Sequence, residues 1–361
     1  MIGATFGSYL AARFLRTICG VFLTVFLLVY TLDFVEQMRQ AGDAEGVGAA
    51  DVALLSLLRT PSVAEQVLPF AVLFGAMITL LQLSRKLELV VARAAGVSAW
   101  QFLLPGVVVA LGLGIAVVLV YNPLASVLQQ KATAWEARLF ERDEGLLARE
   151  NIWIRQRSPE GTAIVRAEGA IEGTTRLSRI TAFVFDRQGR FEERIEARAG
   201  ELHEGYWELE DARVMALDEE PRSHERYRLA SSLLPDQLRT RFTAPSSVPF
   251  WRLDDVAEAT ERAGLDAKRY RLQREALLAR PLLFVAMILV AASVSLRFFR
   301  FGGVGQMVLG GVAAGFLLYV LSELMEDLGG SGLVGTTLAA WFPAVVGSLL
   351  GVLVLLHKED G

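Results

Sequence analysis

The sequence predicts an α-helical membrane protein with six transmembrane helices and an inserted all-β, jelly-roll-like domain. Three observations carry that prediction. Charge is unevenly spread: residues 122–276 hold 25 of the 36 Lys and Arg and 28 of the 40 Asp and Glu, in a chain that is 53% hydrophobic. The remaining sequence falls into uncharged runs about as long as the roughly 20 helical residues that cross a hydrocarbon core. The charged middle alternates polar and apolar residues between Gly-bearing turns, as antiparallel strands do.

The uncharged runs are 17–32, 66–84, 94–130, 281–296, 301–322 and 328–357. The shorter ones reach spanning length if the flanking Arg16, Asp33, Arg280 and Arg297 snorkel to the interface. Run 94–130 is read as a cytoplasmic first part followed by one helix from about 101 to 121. Orientation follows from Lys and Arg in short loops, which mark the cytoplasmic side. Arg13, Arg16, Arg85, Lys86, Arg93, Arg297, Arg300 and Lys358 all fall on one side. Asp33, Glu36, Asp43, Glu45, Asp51, Glu323, Glu326 and Asp327 fall on the other, together with the insert. Both termini are therefore expected in the cytoplasm. Tyr30 to Gln37 offer no small-x-small cleavage site, so the first helix is expected to be retained.

Within the insert, "NIWIRQR" and "TAIVRAE" flank the turn Ser158–Gly161, and "SRITAFVFD" ends at the turn Asp186–Gly189. "GRFEERIEARAGEL" meets "YWELEDARVMAL" through His203, Glu204 and Gly205. This predicts a sandwich or jelly roll. "TAFVFD" is apolar on both faces, as in a strand buried between sheets or lining an apolar interior. After Pro249 the pattern turns helical: "RLDDVAEATERAG" ends at Gly264, and Asp266 starts a helix that runs past Pro281 into the fourth span. The expected divisions are 1–130, 131–265 and 266–361.

Several chemistries find no support. None of the four lysines follows a glycine, so there is no Walker A loop. His203, His224 and His357 form no HExxH, and no GxSxG occurs. No catalytic or metal-ligating residue is assigned. Cys19 is the single cysteine, and the net charge of −4 indicates no nucleic-acid surface. Gly311-x-x-x-Gly315 and Gly347-x-x-x-Gly351 would permit close helix packing.

Three segments carry a family resemblance: "DFVEQMRQAG" (33–42), "LPFAVLFGAMITLLQLSRKLELVVARAAGVS" (68–98) and "RYRLQREALLARPL" (269–282). With three spans on each side of an outer β domain, the chain resembles the LptF/LptG family of lipopolysaccharide export permeases, and its LptG members most. The likeness covers the whole chain. It implies a multi-pass protein of the bacterial inner membrane with a periplasmic β-jellyroll. The implied partners are an LptF-like permease, two LptB-like ATPase subunits that bind ATP and Mg, and an LptC-like bridge protein. The implied substrate is lipopolysaccharide, with no cofactor held by this chain. The competing reading is a non-transporting inner-membrane assembly or signalling protein with a periplasmic β domain.

Segment 84–99 places Leu87, Val90, Val91 and Ala94 on one apolar face with Glu88 beside it. Alone, this is either a surface helix or one that seats in a groove. The resemblance implies the coupling helix, with Leu87, Glu88, Val91 and Arg93 meeting the ATPase and Gly96 permitting the turn that follows. Phe22, Phe26, Tyr30 and Phe34 recur at spacing four, and Phe316 and Tyr319 lie towards the outer end of the fifth span. Such aromatics pack, face lipid, or, as the resemblance implies, line the substrate path. Arg39 and Lys131 are either interfacial anchors or contacts for lipid phosphates. Asp33 departs from the family's basic residue there. Arg39, a divalent cation or a less anionic lipid would offset it.

Overall fold

The computed structural model describes residues 4–42, 48–140, 152–157, 161–170, 175–216, 220–233, 235, 244–262, 266–298 and 304–359. Six helical stretches among them are long and apolar enough to cross a membrane. Helix α1 (Ala4–Ala41) lies antiparallel to α2 (Ala49–Arg85). They approach closely at Gly75, where a Cβ would stand 2.7 Å from the Ile18 Cα. Leu10, Phe14 and Ile18, four residues apart, form the buried stripe of α1.

A left-handed Leu87 (φ 59°) leads into the short α3 (Glu88–Ala94), and Gly96 (φ 82°) turns the chain out of it. Helix α4 (Ala99–Ala116) starts at Ser98, whose Oγ accepts the Gln101 N–H at 3.2 Å. A π turn, Val117–Tyr121, joins α4 to α5 (Asn122–Phe140). The helix expected to stop at 121 thus runs on to Phe140, with Lys131 inside it. Pro123 has no N–H to give the carbonyl four residues back, and the π turn ends two positions before it. The residues that follow are good helix formers. Helices α6 (Leu253–Arg262), α7 (Lys268–Phe298), α8 (Val304–Gly330) and α9 (Thr336–Glu359) complete the helical set.

Helices α2 and α7 form the centre of the bundle. Phe284 to Ala292 of α7 pack with Leu73, Met77 and Leu80 of α2 in one core that also takes Phe102 of α4 and Leu318 of α8. Both small-residue motifs sit at contacts. A Cβ on Gly311 or Gly315 would strike Met77 or Leu73, and one on Gly351 would strike Leu289. In the apolar window of α1 only 6% of residues are buried, against 61% in that of α2.

The insert is one antiparallel sheet of β1 (Ile152–Arg157), β2 (Gly161–Ala170), β3 (Arg176–Asp186), β4 (Phe191–His203), β5 (Tyr206–Ala216) and β6 (Arg222–Ala230). The strands pair in chain order, so the connectivity is a meander. The two packed sheets of the expected sandwich are not formed among the described residues; the single sheet curls around one interior. Ile154 of β1 and Leu229 of β6 share one core with Trp207, and the Gln156 Oε1 accepts from Trp207 Nε1 at 3.0 Å and from Ser231 Oγ at 2.7 Å.

The expected turns at Gly189 (φ 81°) and Gly205 (φ 90°) are present, and residues 158–160 of the first turn lie outside the described residues. Plain alternation fails at one line across the sheet. Leu177 and Ile180 both face inward, as do Leu209 and Ala212, although three positions separate each pair. Left-handed Arg179 (φ 47°) and Asp211 (φ 52°) reset the phase there. Their side chains pair outside with Glu168 at 3.0 Å and Arg198 at 2.8 Å. The segment "TAFVFD" is buried on one face only: Ala182 points inward, while the half-buried Phe183 lies under the Arg194 guanidinium.

Candidate functional site

At one end of the bundle, α3 buries Leu89 and Ala92 and turns its other side outward. Leu87, Val90 and Val91 are 60%, 50% and 66% exposed, and Arg93 and Ala94 are exposed too. The apolar face read from the sequence is therefore presented to solvent. Glu88 has basic and hydroxyl neighbours within the chain itself. Arg13 Nη1 of α1 donates to its Oε1 at 3.0 Å, and the Tyr9 hydroxyl donates to Oε2 at 3.2 Å. Arg13 also donates to the Tyr9 oxygen at 2.6 Å. The α1–α2 hairpin brings the start of α1 beside α3, a contact of high sequence separation.

The opposite end holds a buried polar chain. Glu65 of α2 is 6% exposed, and Arg280 Nη1 of α7 donates to its Oε1 at 2.6 Å. The expectation that Arg280 snorkels is thereby corrected. Pro69 has no N–H, which leaves the Glu65 carbonyl without its helical partner, and the same Arg280 nitrogen approaches that oxygen at 3.5 Å. Asn122 Nδ2 donates to both Glu65 oxygens at 3.1 and 3.2 Å, and its Oδ1 accepts the Phe250 N–H at 3.0 Å. One and two turns along α5, Ser126 Oγ donates to the Ser246 carbonyl at 3.2 Å and Gln130 Nε2 to that of Ser247 at 2.7 Å. Asn122, Ser126 and Gln130 thus hold the strap 244–250 that leads from the β domain to α6. Tyr121 caps the Pro61 carbonyl at 2.9 Å.

Nearby, Arg59 of α2 stands 3.9 Å from Asp33 and 3.9 Å from Glu136. It supplies the positive charge beside Asp33. Arg39 is exposed and forms a 2.6 Å pair with Glu36 on its own helix. Lys131 is exposed on α5. A recess of about 210 Å³ between α2, α7, α8 and α9 is walled by Glu65, Arg280, Tyr319, Glu323 and Glu326, with Phe70 and Met287 on its apolar side. Of the aromatics read from the sequence, Tyr319 alone lines it, its ring tilted against that of Phe70 with centroids 5.5 Å apart. Phe316 is exposed on α8. Phe26, Tyr30 and Phe34 are half-buried on α1, with Tyr30 and Phe34 stacked at 6.4 Å, while Leu23, Leu27, Leu28 and Leu32 form the open face. Among the described residues no three His, Cys, Asp or Glu side chains converge as metal ligands.

Sequence reasoning missed Glu65, Arg280, Arg59 and the Asn122–Ser126–Gln130 row. The row carried a signal: three polar residues at spacing four close the uncharged run 94–130. Glu65 carried another, a carboxylate four residues before an intrahelical proline.

The chain matches the family model described as lipopolysaccharide export system permease LptF/LptG over residues 8–357. It is 25% identical over 348 residues to the lipopolysaccharide export system permease protein LptG of Escherichia coli K12, covering 91% of this chain and 90% of that one. It is 24% identical over 360 residues to LptG of Haemophilus influenzae, covering 98% and 96%. The match takes in both helical halves and the β insert together, and the chain belongs to the LptF/LptG lipopolysaccharide export permease family.

Proposed function

We propose that the chain is the transmembrane permease subunit of an ATP-driven lipopolysaccharide export complex, drawing lipid from the inner membrane and passing it to periplasmic β-jellyroll domains. The observation that carries this reading is α3. A short helix at the Lys- and Arg-rich end presents Leu87, Val90 and Val91 to solvent, in a family of export permeases. Exposed side chains of that size are a docking face for a partner groove. Two LptB-like ATPases would take it and supply the hydrolysis for which this chain has no phosphate loop. The open leucine face of α1 suits an LptF-like permease or lipid. On this reading both termini are cytoplasmic, the β domain is periplasmic, and an LptC-like protein continues the bridge. The exposed Arg39 and Lys131, with Arg59 beside Asp33, would serve lipid phosphates.

The test is co-expression with candidate ATPase and permease subunits, followed by lipid release from proteoliposomes. Co-purification with ATP-dependent release of lipopolysaccharide is the expected result. A stable complex that hydrolyses ATP and releases no lipid would favour the assembly or signalling reading.

A further inference from the structure

We propose that Asn122 and Glu65 are positioning residues that tie the movement of α2 to the strap leading out of the β domain. The inference rests on the permease reading above. Helix α2 is one continuous element from the Glu65 pair to Arg85, and only Lys86 and Leu87 separate it from α3. It is also a central helix of the bundle core. A push on α3 therefore reaches Glu65 through a packed rod. From Glu65 the next link is Asn122, 1% exposed, which faces Glu65 with its amide nitrogen and the strap with its amide oxygen. Asn suits that place because it donates and accepts at once. The π turn directly before Asn122 shifts the helical phase at this point. Ser126 and Gln130 hold only strap carbonyls. Asn122 is the one member of the row that joins strap and α2. The Asn122–Glu65 bonds are buried and the Asn122–Phe250 bond is partly buried, where an unmade bond is expensive and the linkage is stiff.

The test uses the full complex. Asn122→Leu removes both bonds of the amide and leaves Glu65 paired with Arg280. The expected result is a lowered thermal midpoint, because Glu65 and the Phe250 N–H lose a partner, with ATP hydrolysis retained and lipid released per ATP down about ten-fold, within the range of ordinary coupling between sites. Asn122→Gln, which keeps an amide donor and acceptor at the same position, is expected to recover release in part. If Asn122→Leu does not insert, Asn122→Ser, whose shorter side chain cannot span from Glu65 to the strap, replaces it with the same readouts. Release unchanged, or release and hydrolysis falling together without rescue, overturns the inference. Wild-type complexes that hydrolyse ATP without releasing lipid overturn the permease reading itself, so the two failures are distinct.

Discussion

Glu88 meets two demands at once, because it neutralises Arg13 inside the chain and borders the exposed face of α3. A hydrogen bond to a charged group contributes about 1.5–3 kcal/mol, so Glu88→Lys breaks an internal contact as well as any external one. The informative variant is the exchange Arg13→Glu with Glu88→Lys, which restores the internal pair with reversed sense. ATPase co-purification is expected to stay lost in the exchange; its recovery would show that Glu88 serves only α1. Asp186 is a second residue of this kind, in the β domain. Its carboxylate accepts the Arg190 backbone N–H at 2.9 Å, with the Arg190 side chain and the Gln188 N–H as further donors, and its pKa lies below the usual 3.8. A depressed pKa gives stability that is present above the unfolded value and lost as pH falls through the folded one. The β3–β4 turn is therefore expected to hold at neutral pH and loosen only in acid below the ordinary Asp range. NMR titration of the Gln188 and Arg190 amides checks this.

The elements are held by close approaches that only small residues allow. Gly75→Val puts side-chain carbon where the Ile18 backbone stands, and overpacking of this sort costs about 1–3 kcal/mol. A lowered thermal midpoint in detergent is expected, whereas Gly112→Ala, with open space around it, is expected to leave the midpoint in place. For α3 the expectation is the reverse. Val91→Asp alters an exposed position, so folding and insertion are expected to be normal while ATPase binding falls. Retained binding in pull-down would remove α3 from the interface. The Glu65–Arg280 pair belongs at this scale too, since it joins α2 to α7. Glu65→Leu leaves Arg280 without its carboxylate, and breaking one partner of a buried pair costs about 3–5 kcal/mol.

At the scale of the molecule, charge is sorted between two ends. Arg13, Arg85, Lys86 and Arg93 gather around α3, while the β insert follows from the end that holds Glu65, Arg280 and Arg59. With the positive end in the cytoplasm, a cysteine at Gly189 is expected to react with a membrane-impermeant reagent added from the periplasm, and one at Ala95 is not. Ala95 is preferred to the neighbouring Ala99 because Ala99 is buried, which would block labelling from either side. Reaction at Ala95 from outside would invert the topology.

Much of this was legible in the residues. Uncharged runs located six helices because bilayer thickness fixes their length, and period-two alternation with Gly turns located the first five strands because side chains alternate across a sheet. The family resemblance, resting on contiguous segments such as 68–98, was legible for the same reason: it is local. The tertiary structure decided what depends on distance through space. Arg13 reaches Glu88 across 75 positions and Arg280 reaches Glu65 across 215, and no periodicity along the chain encodes either meeting. Arg280 read as a snorkelling flank because its sequence neighbours are apolar; its partner lay on another helix. Alternation in the sheet likewise failed at Arg179 and Asp211, where a left-handed residue turns the following side chains to the other face. The sequence alone determined which segments span, which pair as strands and to which family they belong. Only the tertiary structure decided which charges neutralise each other, because a buried charge finds its partner through space.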